Sequence, residues 1–337
     1  MKVFIIGGTG LLGSEGAREL LARGHEVRTL ARRVPSKDAG LPEGMEVIPG
    51  NYMDMSDDEL RALFQGCEGF VFAAGVDERV EGPTPIYELF KKYNIDTIDR
   101  LLRLAKECGV KHTVICGSYF SYFDKIWPEM KLAEYHPYIR SRRDQEKVAM
   151  SYADEGFDVA VLELPYIFGT QPGRKPVWVF LVENIRAMKK VTMWPKGGSA
   201  MVTIRQVGQA LAGALERNRG GNCYPIGWYS LSWKEMLKIC HKHLGCPDKK
   251  IVTIPKWMFA MGTKKIKKEQ EARGIEGGLD MDRFPDLQCS DQFIDKGLAC
   301  VPLGVTEDDI DTAIGDSMRL CVEILDGRAG DIKEMQG

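Results

Sequence analysis

The sequence predicts an α/β fold: a doubly wound parallel sheet with a smaller C-terminal lobe. Three observations predict it. Short β-branched and apolar runs alternate with amphipathic helical stretches through the first half of the chain. A glycine-rich turn joins the first of those runs directly to the first helix. Beyond Pro165 the alternation loosens into sequence punctuated by glycine and proline, at 169–173 and 195–198.

The elements follow in order. Residues 3–6 read as a strand and 11–23 as a helix stopped by Gly24. Strands are expected at 26–30, 46–48 and 70–74, with a helix at 59–64. A long helix lies within 86–109, where Ile98, Leu101, Leu102 and Ala105 recur at helical spacing. A fifth strand at 112–116, a helix at 138–156 and a sixth strand at 158–164 complete the alternation, which right-handed crossovers turn into a parallel sheet covered on both faces. Between the fifth strand and that helix, Tyr119, Phe120, Tyr122, Phe123 and Trp127 read as an aromatic loop bordering a substrate. In the second half, helices are expected at 207–218 and 232–244. Ser232 and Glu235 form a capping box at the start of the latter.

Bulk properties narrow the function classes. The chain has 337 residues, 44% hydrophobic and 28% charged, with a formal net charge of −2, so nothing calls for nucleic acid or an acidic membrane surface. No run approaches the ~18 apolar residues of a membrane span. Nine cysteines occur without a Cys-x-x-Cys pair, and Cys67, Cys108, Cys116 and Cys321 sit in apolar segments. That usage suits a reducing, cytoplasmic setting better than a disulfide scaffold. Cys240, His241 and His243 do not make a metal set, because positions two apart diverge on a helix; the segment reads as a surface helix. The lysine-rich stretch 263–273 reads as a solvated helix.

The chemistry starts at the N-terminus. Gly7, Gly10 and Gly13, with Thr9, Leu11 and Leu12 between them, form Gly-x-x-Gly-x-x-Gly between strand and helix. Gly7 makes the tight turn, Gly10 leaves room for a phosphate, and Gly13 lets the helix pack on the strand. The helix N-terminus offers unpaired N–H groups to a pyrophosphate, so residues 1–165 read as a dinucleotide-binding domain. Residues 166–330 read as mainly a substrate lobe, with some segments returning to the sheet. The second strand ends in Ala31, Arg32 and Arg33 where an acidic residue would favour NAD. Two arginines suit a 2′-phosphate, so NADP(H) is the expected cofactor, with NAD(H) the alternative.

Taken together, these features resemble the extended short-chain dehydrogenase/reductases, the NAD(P)-dependent epimerase/dehydratase group, over roughly residues 1–222. The resemblance implies a Rossmann-like fold and a cofactor groove that also involves Asn51 and Tyr52 after the third strand, and Ala73, Ala74 and Gly75 after the fourth. It extends to Asn94 in the long helix and to Pro165, Ile167 and Phe168 after the sixth strand. That family's Tyr-x-x-x-Lys falls on Tyr138 and Arg142, which share one helix face at i and i+4. Tyr138 is then implied as the proton donor or acceptor. Arg142 stands in for the lysine, a change of shape as well as of group. The family's serine or threonine falls on Ser118 or Tyr119, and both remain open. Glu163 stands where the family commonly has arginine, and 203–207 departs from its usual pattern. These departures, with the aromatic segment, point to a small apolar or aromatic carbonyl compound reduced to its alcohol, or the reverse. A nucleotide-sugar epimerase or dehydratase with tightly held NAD is one alternative, and a non-catalytic dinucleotide-binding protein another. The resemblance leaves room for a homodimer through the helices carrying Asn94 and Tyr138.

Overall fold

The computed structural model describes residues 1–33 and 39–329. Seven parallel strands form the main sheet: β1 (Lys2–Ile6), β2 (Glu26–Ala31), β3 (Glu46–Pro49), β4 (Gly69–Phe72), β5 (His112–Cys116), β6 (Asp158–Glu163) and β7 (Gly221–Pro225). Their spatial order is β7-β6-β5-β4-β1-β2-β3. The order reverses beside β1, and a ligand crevice opens at such a switch point, outside the carboxyl ends of the strands.

Alternation along β1 feeds two cores. Val3 and Ile5 point to one face, where helices α1 (Leu11–Ala22) and α6 (Ile204–Arg217) cover them. Phe4 and Ile6 point to the other, under α2 (Asp57–Phe64) and α3 (Thr97–Glu107). Phe64 meets Phe4 and Phe70 edge-on there, each at 5.1 Å, while Phe4 and Phe70 stack at 6.2 Å. Each fully buried ring stabilises the fold by about 1.5–3 kcal/mol relative to exposure.

Several elements differ from expectation. The fourth strand stops at Phe72, because the backbone turns toward Gly75, with φ +121°. The long helix is interrupted: Tyr87–Phe90 is α-helical, Lys91–Asp96 is π-helical, and α3 follows. The aromatic stretch expected as a loop is a helix, α4 (Tyr119–Ile126). Ser118 caps its first turn by accepting from the Phe120 N–H, and Tyr119, Phe120 and Phe123 turn inward. Helix α5 (Pro137–Ser151) begins at a proline and carries Tyr138 in its first turn.

The second half adds strands Tyr166–Phe168, Gly198–Thr203 and Tyr229–Ser232, paired in a smaller sheet. The Ser232–Glu235 capping box forms as expected. The helix Trp233–His243 does not lie wholly on the surface: Cys240 and His241 are buried, and the imidazole bonds Thr192 Oγ1 at 2.9 Å. All nine cysteines are free, and among the described residues no group of ligands suits a metal. No described helix is long and apolar enough to cross a membrane.

Candidate active site

The glycine turn closes tightly. Gly7 has φ +87°, and a Cβ there would run into the Ala73 carbonyl. A Cβ on Gly13 would run into the Gly7 carbonyl. The Gly7 carbonyl accepts from Gly10 N–H at 2.9 Å, and Thr29 Oγ1 on β2 receives the Gly8 N–H at 3.1 Å. Gly10 N-caps α1 without a side chain, and no acidic residue stands in the first turn, so the N–H groups of the turn that holds Leu11, Leu12 and Gly13 face outward uncapped. The Thr9 carbonyl is held from the second half of the chain, by Gln171 Nε2 at 3.2 Å and an Arg174 N–H at 2.7 Å. The uncapped N–H groups fit this cradle to a dinucleotide pyrophosphate, and a side chain at Gly7 or Gly13 would force the turn open against backbone.

Arg32 and Arg33 leave β2 exposed. The Arg32 charge reaches two neighbours. Burial first, then Arg32, lowers the affinity of Arg174 for its proton. The Tyr52 hydroxyl is raised by burial and eased back by Arg32. Arg174 was not foreseen from sequence, since it lies more than 140 residues from Arg32 in a segment with no periodicity. Asn51 closes its own turn, accepting from Met53 N–H at 3.3 Å and donating to Asp54 at 2.6 Å.

Beyond β4, Ala73 continues the ladder by donating to Ile6 O at 2.8 Å. Asn94, fully buried in the π-helical turn, clasps Val76 from both sides: it accepts from the Val76 N–H at 2.9 Å and donates to its carbonyl at 3.0 Å. The Asn94 carbonyl in turn accepts from Gln145 at 2.6 Å. Arg142 completes the network. Its Nε donates to the Tyr138 hydroxyl at 3.1 Å, one terminal nitrogen to Gln145 Oε1 at 2.9 Å and the other to Val76 O at 3.2 Å. The guanidinium fork thus spans three acceptors, which a lysine ammonium on the same stem would not match.

Tyr138 is 4% exposed and Arg142 6%. Burial raises the Tyr138 pKa above the usual phenol range. Arg142 opposes that rise, Glu78 adds to it, and the Ser118 hydroxyl, a hydrogen-bond partner, also opposes it. The net direction keeps Tyr138 a neutral phenol at physiological pH, able to give up a proton. Tyr119 is turned elsewhere: its hydroxyl accepts from Ser199 at 3.1 Å, and burial holds it well above the usual range. Phe90 and Phe120 meet Tyr138 edge-on at 5.6 and 6.4 Å. Phe168 stacks on Trp178 at 4.4 Å within the core of the second half, while Pro165 and Ile167 lead into it.

Residues 275–294 cover this site. Ile275–Gly277 pairs antiparallel with Glu81–Pro83. The Gly278 carbonyl accepts from Tyr138 N–H at 2.9 Å, and His136 Nδ1 accepts from Asp280 N–H at 2.9 Å. Leu279, Leu287 and Ile294 share an apolar cluster with Tyr138. Burial pulls His136 down to about 4, so it stays neutral. Glu78 faces the three tyrosines Tyr119, Tyr138 and Tyr166, and burial raises its pKa, while the Arg79 charge also reaches Tyr138 and Tyr166.

With this geometry in hand, comparison with known proteins is informative. The family model described as "NAD dependent epimerase/dehydratase family" matches residues 3–227. A putative dihydroflavonol 4-reductase of Synechocystis is 22% identical over 334 residues, covering 94% of this chain and 93% of the relative. Vestitone reductase of Medicago sativa is 30% identical over 196 residues, 50% of this chain and 58% of its own. In fold, the chain is similar to a UDP-glucuronic acid 4-epimerase from Bacillus cereus solved with NAD. The TM-score is 0.67 at 13% identity, over 96% of this chain and 99% of that one.

Proposed function

Since the chain belongs to the NAD dependent epimerase/dehydratase family, we propose that it is an NADP(H)-dependent oxidoreductase acting on a small apolar or aromatic carbonyl compound and its alcohol. The observation that carries this reading is the Arg142 Nε to Tyr138 hydroxyl bond at 3.1 Å, with Ser118 beside it in an aromatic enclosure. The reductase names of two relatives support the reaction class.

Gly7, Gly10 and Gly13, with Thr9, Leu11 and Leu12, would hold the pyrophosphate, and Arg32 with Arg174 the 2′-phosphate. Among the described residues neither cation pairs with a carboxylate, which favours a bound anion. The bound nicotinamide would supply or accept hydride. Tyr138 gives its phenolic proton to the carbonyl oxygen as that oxygen gains charge, and takes it back in the alcohol direction. Arg142 stabilises the phenolate left behind. The Ser118 hydroxyl donates to the same substrate oxygen, holding it within reach of Tyr138. Phe90, Phe120 and the 275–294 segment exclude water.

The test is titration of cofactor-stripped protein with NADPH and NADH, then a panel of aromatic ketones. Tighter NADPH binding that is lost in Arg32→Ala and Arg174→Ala, with ketone-dependent NADPH oxidation, is the expected result. Equal affinity for both cofactors, or inseparable NAD with no net turnover, would overturn it in favour of an internal-redox epimerase.

A further inference from the structure

The chain's most lopsided charge distribution lies away from the dinucleotide groove. Segments 187–196 and 249–268 together hold ten lysines and no aspartate or glutamate, in a chain whose formal net charge is −2. The fold brings them together: strand Val191–Pro195 pairs with Lys250–Ile254, Met193 opposite Val252, and the second strand runs into helix Lys256–Ala272.

That helix is clamped on its inner side by polar contacts. Gln270 donates to Glu81 at 2.9 Å, Lys267 reaches Asp280 and Asp282, and Lys256 pairs with Asp286. Phe259 meets Phe284 at 6.1 Å. Its outer side faces solvent and carries one ion pair, Lys265 to Glu269 at 3.8 Å. Trp257, Met261, Lys264, Lys265 and Lys268 recur at the spacing of one helix face. Trp257 and Met261 are each 63% exposed, Met258 39%, and Met193 on the adjoining strand 46%. Among the described residues no ion pair involves Lys189, Lys190, Lys196, Lys250, Lys264 or Lys268.

We propose that this face, Trp257, Met258, Met261 and Met193 ringed by exposed lysines, docks the protein on an anionic lipid surface. The indole and thioethers enter the headgroup boundary, and the lysines meet the lipid charge. Charge complementarity selects this occupant. A second copy of the chain is disfavoured because a two-fold interface would set the like charges of Lys264, Lys265 and Lys268 against one another. Every cation here is lysine, a hydrated point charge; the arginine forks that grip nucleic-acid phosphates are missing from both segments. The helix also roots on residues 280–286 of the segment covering Tyr138, through Lys256 and Lys267.

The test is co-sedimentation of the full chain with phosphatidylcholine vesicles, with and without about 30 mol % phosphatidylserine. Pelleting that needs phosphatidylserine, falls with salt, and drops by about fivefold for each of Lys264→Glu, Lys265→Glu and Lys268→Glu is expected. Trp257→Ser with Met261→Ser should weaken the salt-resistant part, while NADPH binding stays intact as a control on folding. Equal recovery with both vesicles, no pelleting, a mass that doubles with concentration through this face, or oligonucleotide binding that is lost in the same lysine variants would each overturn it.

Discussion

Helix α5 carries two ionisable clusters on neighbouring stripes, built by opposite rules. On the first, Tyr138, Arg142 and Gln145 form a chain in which each nitrogen of the guanidinium finds an acceptor, and Gln145 carries it on to the Asn94 carbonyl. On the second, Arg143 and Glu146 turn toward β6. Glu146 (3% exposed) and Glu163 (1%) share Lys125, at 3.3 and 2.7 Å, and Arg143 bonds Glu146 at 2.8 Å. Two ionised carboxylates are acceptors only, and Glu146 Oε1 and both Glu163 oxygens lack a donor in good geometry. A proton between them resolves this. Burial, then the Glu146 charge, pushes Glu163 up to about 8. In the proposed reaction the first stripe gives up a proton; in the second, burial and the Glu146 charge favour keeping one on Glu163. Burial raises both groups, and what separates them is whether the neighbouring charge is opposite or alike.

The largest expected effect breaks the first stripe. Tyr138→Phe keeps the packing and removes the acid, and should cut turnover by about 10²–10⁴-fold while leaving dinucleotide affinity unchanged. Turnover that survives would mean the stripe is structural only. Arg142→Lys comes next. It keeps the charge but removes the donor to Gln145 Oε1 and one of the two donors to the Val76 carbonyl, so a loss of about tenfold in kcat and about 1–3 kcal/mol in stability is expected from denaturant melts. Full activity would show that charge alone suffices.

The second stripe is tested by pH. Glu163 has a folded pKa above its unfolded value near 4.5, so its contribution is fully present below that value and is lost as pH rises toward about 8. Glu163→Gln should therefore flatten the fall in Tm over that window. A steeper fall would place the shared proton elsewhere. The smallest effect concerns His136, where the sign reverses. Its folded pKa, about 4, lies below the ordinary 6.5, so stability present above 6.5 is lost as pH falls toward 4. His136→Asn, which can still accept from Asp280 N–H, should soften only that acid limb, as read from thermal melts.

What was legible in the sequence was local. The glycine turn, the strand–helix alternation and the i, i+4 placement of Tyr138 and Arg142 all depend on neighbours within a turn or two. Gln145, Val76 and Arg174 escaped notice because their roles depend on contacts across 51, 66 and 165 residues. The aromatic stretch 119–127 has a composition that suits a pocket wall as readily as a helix. The Ser118 cap, which makes it a helix, uses a residue considered only for catalysis. Cys240 and His241 looked superficial because pairing of Thr192 with the imidazole cannot be seen without the ribbon 191–195. Glu163 stood out as a departure, and its meaning came only with Glu146 and Lys125 beside it.

The π-helical turn Lys91–Asp96 has a consequence for chain length. A π turn holds one residue more than the α turn it replaces. Deleting one residue there would leave a regular helix with its backbone bonds intact, yet rotate everything upstream by about 100°. Tyr87, whose hydroxyl donates to Asp144 at 2.7 Å and whose ring lies 3.5 Å from the Arg140 guanidinium, would swing off α5, and Asn94 would lose its grip on Val76. At this place the spelling of the site is a count of letters as much as a choice of them. A shortened chain would fold a better helix and assemble a worse site.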